Sequence, residues 1–164
     1  MAAGWRKALP GAEALCRRAA RAALAAAPRR TPRGTIAIAL ADDALLQDLN
    51  HQFRGRDKPT NVLSFPADAS DPLGPRQLGD IAMALQTLKR EATEQGKTLR
   101  QHLLHLVVHG TLHLLGYDHE RPGQARTMES LERRILAGLG QPDPYRLPAA
   151  PIRSANTQKR NKKQ

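Results

Sequence analysis

Cysteine is nearly missing from this 164-residue sequence, where Cys16 stands alone. One thiol can neither close an internal disulfide nor build a thiolate metal site. The chain therefore suits a reducing cytosol, a cytoplasmic location is expected, and any bound metal must use histidine or carboxylate. Aromatic residues are few as well, with only Trp5, Phe53, Phe65, Tyr117 and Tyr145. That excludes the base-stacking platform of a dedicated single-strand binder. No apolar run approaches the ~20 residues that span a bilayer, so neither a transmembrane helix nor a membrane partner is expected. Acid is scarce at the two ends. Residues 1–34 hold eight Lys/Arg against Glu13 alone, a balance of +7, and residues 151–164 hold five against none, a balance of +5. The whole chain carries +11, which leaves −1 for residues 35–150. Basic arms around a near-neutral middle fit a nucleic-acid binder whose ends add sequence-independent phosphate contacts, with an affinity that falls with salt. Basic ends that only keep a protein in solution fit the same numbers.

The length suits one domain with a tail to spare. Residues 1–148 are expected to form that domain. Residues 149–164, basic and polar with little to bury, are expected to be disordered. Residues 11–27 are strong helix formers with Leu15, Ala19, Ala22 and Ala23 on one side, and Pro28 and Pro32 end them. An Arg/Ala-rich, acid-poor start can mimic an organellar transit peptide, but here it reads as a structural helix. Residues 34–40 read as a buried strand. Asp42 or Asp43 then N-caps a helix reaching about Phe53. Residues 61–65 and 78–83 read as strands, separated by a turn or open loop over 67–77. Helices follow at 86–95, 99–115 and 124–137, the second stopped by Gly116 as a C′ glycine. The class is α+β, a small mixed sheet of three to four strands flanked by about five helices.

Four histidines, at 102, 105, 109 and 113, sit on the 99–115 helix. At ~100° per residue they fall within an arc of about 80°. Sharing a face does not make a metal site, because a helical histidine is more often a hydrogen-bonded structural residue. Geometry selects among them. His105 and His113 lie about 12 Å apart along the axis at ~1.5 Å per residue, whereas each zinc ligand sits about 2.0–2.1 Å from its metal. One straight helix thus offers two adjacent turns, and the third ligand must come from elsewhere. His119 lies three residues past Gly116, where a sharp reversal brings it beside His109 and His113. The pair 105/109 has no such third partner. His109, His113 and His119 are therefore the expected ligands of one zinc ion per chain. The site is expected on the central helix and its following turn.

Histidines at i, i+4 and i+10 with glycine at i+7 share the skeleton of the zinc proteases. Those enzymes carry a general-base glutamate after the first histidine. This chain has Gly110 there, which argues against proteolysis. Three protein ligands leave an open coordination position, as catalytic rather than structural zinc requires.

The stretch His109-Gly110-Thr111-Leu112-His113-Leu114-Leu115-Gly116-Tyr117-Asp118-His119 resembles the signature of the YbeY family of bacterial endoribonucleases. Four further blocks carry the likeness: Leu49-Asn50, residues 53–66 with Pro59-Thr60-Asn61-Val62-Leu63-Ser64-Phe65, Leu78-Gly79-Asp80-Ile81, and Leu139-Gly140 with Asp143-Pro144-Tyr145. It covers about residues 34–145. The resemblance implies a mixed sheet with surrounding helices and a metal-dependent cut in single-stranded RNA. It also implies a role in maturing the 16S rRNA 3′ end and in ribosome quality control, with the 16S rRNA precursor and ribosomal small-subunit proteins as partners. It further implies that His109, His113 and His119 hold the metal and that Arg54 is the functional arginine beside the cleft. The family pattern begins with a strand ahead of the first helix. This chain reaches Gly4-Trp5 almost at once, so the sheet is expected to lack an edge strand or the chain to start further upstream.

Arg54 is expected to hold the scissile phosphate, its planar fork suiting paired phosphate oxygens. Asp57, Lys58, Thr60 and Asn61 are candidates for the RNA cleft, or else form a turn that satisfies its own backbone. Asp80, Asp118 and Asp57 are candidates for the general base. Asp118 is read rather as the acceptor that orients a neighbouring histidine. His105 is read as a packed helical histidine, with proton transfer or RNA contact as the other role. A metallohydrolase of another substrate class and a non-catalytic zinc-containing ribosome-assembly factor fit the same residues.

Overall fold

Strand β1 (Thr35–Ala41) and strand β3 (Gln77–Ala84) pair in parallel, and strand β2 (Val62–Pro66) runs antiparallel to β3, giving a mixed sheet of order β1-β3-β2. The computed structural model of the protein describes residues 2–26, 34–67 and 76–146. The expected tail, and with it the 148/149 domain boundary, lies outside the described residues, as do Pro28, Pro32 and most of the expected 67–77 loop. Among the described residues the helices are α1 (Gly4–Ala8), α2 (Ala12–Ala26), α3 (Asp43–Arg54), α4 (Leu85–Glu94), α5 (Leu99–Leu114) and α6 (Pro122–Gly138).

The central strand is buried on both faces, so its side chains sort two cores. Ile81 and Met83 face one core with Leu103, Leu104, Val107, Val108 and Leu112 of α5, the apolar face of α2, and Met128, Ile135 and Leu136 of α6. Ala82 and Ala84 face a smaller core with Leu63 and with Leu46 of α3. Helix α5 is thus enclosed by α2, α4, α6 and the sheet. That explains why its sequence is apolar nearly all round except for the histidines. Of the two candidate caps for α3, Asp42 accepts from the Leu45 N–H at 3.0 Å. Asp43 instead reaches α4, accepting from the Thr87 N–H at 2.9 Å and its hydroxyl at 2.8 Å.

Helix α1 has no counterpart in the sequence reading. Five residues give no periodicity, and the turn persists through one anchor: Trp5 is fully buried and its indole N–H donates to the Ala41 carbonyl at 2.7 Å. Ahead of it the Ala2 N–H donates to the Leu40 carbonyl at 2.8 Å.

Cys16 lies in the α2 core, and burial pushes its thiol up to about 12. Almost no thiolate, the reactive form, exists at neutral pH. Iodoacetamide is therefore expected to label Cys16 quickly in denaturant and only slowly in native buffer. Rapid native labelling would contradict its placement.

Candidate metal centre

Helix α5 begins at a capping box: the Thr98 hydroxyl accepts from the Gln101 N–H at 3.1 Å, and the Gln101 side chain accepts from the Thr98 N–H at 2.8 Å. Gly110 lets the middle of the helix press against the sheet. A Cβ there would lie 3.0 Å from Ser64 Oγ and 3.1 Å from Ile81 Cδ1. The side chain at position 110 would thus point into β2 and β3. A glutamate has no room there, so the glycine that set this sequence apart from the zinc proteases is also a packing requirement.

Helix α5 ends in a Schellman turn. The Gly116 N–H donates to the His113 carbonyl and the Tyr117 N–H to the Leu112 carbonyl, both at 3.0 Å, with Gly116 at φ +88°. The reversal carries His119 back over the helix. Its ring lies 5.5 Å from that of His109 and 5.0 Å from that of His113, centroid to centroid. One ring nitrogen from each of the three histidines falls within 4.8 Å of the others. His109 Nε2 and His113 Nε2 face each other at 3.1 Å. Two ligands of a tetrahedral zinc at about 2.0–2.1 Å stand about 3.4 Å apart, so the two nitrogens already have the spacing a metal requires. Burial and the neighbouring His109 and His119 hold the His113 imidazole below the usual histidine range, which favours the neutral, metal-binding form. The triad could hold a metal ion.

Behind it lies a residue that sequence reasoning missed. Glu132 on α6 is fully buried and accepts from His109 Nδ1 at 2.7 Å, from His105 Nε2 at 3.4 Å and from the Tyr145 hydroxyl. Burial alone would raise its carboxyl, but the hydrogen bonds from His105, His109 and Tyr145 outweigh it and bring the carboxyl down to about 2. A histidine that gives its Nδ1–H to a carboxylate presents the lone pair of Nε2, the usual arrangement of a metal-bound histidine. A signal for Glu132 existed. It sits four residues after Met128 and three before Ile135, an acid at the centre of an apolar helical stripe.

A family model described as "Endoribonuclease YbeY" matches residues 9–140. The chain belongs to the YbeY endoribonuclease family. Among its relatives, the Endoribonuclease YbeY of Rhodopseudomonas palustris (strain BisB18) is 56% identical over 139 residues, covering 82% of each chain. That of Nitrobacter winogradskyi is 54% identical over 151 residues, covering 88% of this chain and 78% of the relative. The solution structure of TM1509 from Thermotoga maritima superposes with a TM-score of 0.50 at 26% identity, over 82% of this chain and 90% of that one.

The remaining candidates of this YbeY family member divide sharply. Arg54 is exposed at the C-terminus of α3 and takes part in no salt bridge among the described residues. Its neighbour Phe53 packs edge-on against Phe65, with centroids 5.1 Å apart. The Phe65 carbonyl in turn crowds Gly79, which also abuts Leu114 of α5. Arg54 and the last turn of α5 therefore lie at the same end of the sheet, on opposite faces of edge strand β2. Asp57, Lys58 and Thr60 follow in the loop after α3, with Asp57 accepting from Gln47 Nε2 at 2.8 Å.

Three further candidates have partners inside the fold. The Asn61 side chain is engaged within the fold: its oxygen accepts from the Val62 N–H at 2.7 Å and its amide donates to Glu91 at 2.9 Å. Glu91 also pairs with buried His102 at 2.8 Å. Asp80 sits next to Ile81 on β3, so strand alternation turns it to the face away from α5, where it accepts from Gln77 at 2.8 Å. Asp118 accepts from the His119 backbone N–H at 2.7 Å and from no histidine ring. The acceptor expected of Asp118 is Glu132. His105 is mostly buried against that same carboxylate.

No helix among the described residues is long and apolar enough to cross a membrane.

Proposed function

We propose that the protein is a single-strand-specific, metal-dependent endoribonuclease that matures the 3′ end of 16S rRNA and serves ribosome quality control, working beside small-subunit proteins in the cytoplasm. The observation that carries the reading is the convergence of His109, His113 and His119 within 4.8 Å in a member of the YbeY family. Three imidazoles without a thiolate suit zinc, and all three histidines would hold it. When bound, the ion supplies a Lewis acid for a phosphoryl oxygen and lowers the pKa of a water.

The chain's own residues do the rest. His109, His113 and His119 hold the reacting centre at the C-terminal end of α5, and Arg54, exposed at the C-terminal end of α3, is the residue that meets the phosphate. Its planar guanidinium grips two phosphate oxygens at once as charge builds on phosphorus. Lys58 and Thr60, next in the same loop, support the RNA backbone.

Incubating the purified protein with a 16S rRNA fragment bearing a single-stranded 3′ extension, with and without a chelator, tests this reading. Chelator-sensitive cleavage in the single strand is the expected result. Peptide cleavage would indicate a metallohydrolase of another class, and RNA binding without cleavage a structural zinc protein. Arg54→Ala is expected to slow cleavage by about 10²–10³-fold, the usual cost of removing one donor to a developing anion, at unchanged metal content. Undiminished cleavage by that variant would remove Arg54 from the mechanism.

A further inference from the structure

Glu132 is a fully buried carboxylate. Its three donors, two histidine rings and a phenol, come from two elements, α5 and the segment after α6. Oε1 takes the His109 Nδ1–H, while Oε2 is shared by His105 and Tyr145. Among the described residues His105 Nδ1 has no hydrogen-bond partner. Tyr145 is itself pinned. Its backbone N–H donates to Asp143 at 2.9 Å, Lys97 Nζ donates to the Pro144 carbonyl at 2.6 Å, and the Arg133 guanidinium lies 4.8 Å from the centre of its ring. The segment from Asp143 to Tyr145 is thus strapped across α6 with its one aromatic hydroxyl on the carboxylate behind the triad.

We propose that Glu132 and Tyr145 are the positioning pair of the metal centre: Glu132 fixes His109 with its proton on Nδ1 and its lone pair on Nε2, and Tyr145 keeps the carboxylate from rotating away. The proposal rests on the reading of His109, His113 and His119 as metal ligands. A carboxylate free to turn would let His109 exchange tautomers, and the Nε2–H tautomer presents a proton to the metal. Held from behind by a phenol, the carboxylate keeps one orientation.

The test uses the full-length chain, stripped of metal. Zinc affinity is measured by competition with a chromophoric chelator, and the histidine tautomers by ¹⁵N NMR in mildly alkaline buffer. In the wild type, His109 is expected to carry its proton on Nδ1. Glu132→Gln is expected to weaken zinc binding by about 10- to 100-fold, and Tyr145→Phe to weaken it by a smaller factor with a mixed His109 tautomer. His102→Gln, a change to a buried histidine on the same helix but outside the triad, is expected to leave both readouts unchanged. Should Glu132→Gln fail to fold, Tyr145→Phe and the wild-type tautomer decide. Wild-type zinc binding with equal affinity in Tyr145→Phe, or a His109 proton on Nε2, overturns the positioning role alone. A wild type that takes up no zinc overturns the metal reading and this proposal together.

Discussion

Replacing His113 with alanine is expected to yield a folded chain that retains almost no zinc and cleaves RNA at least about a thousandfold more slowly. His113 is the middle member of the triad, facing His109 Nε2 at 3.1 Å with the His119 ring 5.0 Å away. Without it, His109 and His119 remain, and two imidazoles cannot close a site against water. Zinc catalysis is worth several kcal/mol of transition-state stabilisation, and each ~1.4 kcal/mol is a factor of ten in rate. The fold should barely notice, because the ring is only half-buried and its cost falls within about 1 kcal/mol. Elemental analysis, a melting curve and the cleavage assay on one sample separate these effects. A variant that keeps its zinc would refute the ligand assignment. The pH dependence has a definite sign. Protons compete with metal for His113, and its depressed pKa means that competition begins only at lower pH than for an ordinary histidine. Zinc retention should therefore persist through neutral pH and fall on acidification.

Gly79→Ala is expected to destabilise the protein by about 2–6 kcal/mol, a large part of the roughly 5–15 kcal/mol that holds a domain together. Gly79 has φ +143°, a backbone region that side chains rarely tolerate. A Cβ there would lie 2.2 Å from the Phe65 carbonyl oxygen, 2.8 Å from Leu114 Cδ2 and 3.0 Å from Pro66 Cα. Leu114 could rotate, but the two β2 backbone atoms cannot. Backbone strain of about 1–3 kcal/mol adds to overpacking of about 1–3 kcal/mol. The damage also reaches the site, since Phe65 abuts Phe53 beside Arg54 and Leu114 follows His113. Guanidinium unfolding measures the loss. Gly123→Ala provides the contrast, with nothing among the described residues beyond its own helical turn within 4 Å of the added methyl and an expected gain of up to about 1 kcal/mol. Equal stability of Gly79→Ala and the wild type would mean that β2 and α5 do not meet as described.

Much of the architecture was legible because it is local. The stripe of histidines, the glycine that ends α5, and the strands at 35–41, 62–66 and 77–84 each announce themselves within a few residues, through periodicity or a required backbone angle. Boundaries moved by a residue or two where pairing extended a strand or a proline opened a helix, as Pro122 does for α6. Helix α1 was illegible, because five residues have no period and their stability comes from burying Trp5.

Roles that depend on a face or a distant partner followed a different rule. By itself the sequence brought together the three histidines that could hold a metal, because ~1.5 Å per residue and a turn at Gly116 leave few places for His109, His113 and His119 to go. Only the tertiary structure decided what stands around them. Asp80 and Ile81 are adjacent in the chain, yet strand alternation sends one to each face of the sheet. The partner of the Asn61 amide is Glu91, which α4 brings from 30 positions away. Glu132 is separated from His109 by 23 positions and from Tyr145 by 13, so no local pattern joins them. Packing of α6 against α5 does so, because a carboxylate buried there must find donors, and a histidine that gives its Nδ1 proton presents Nε2 to a metal.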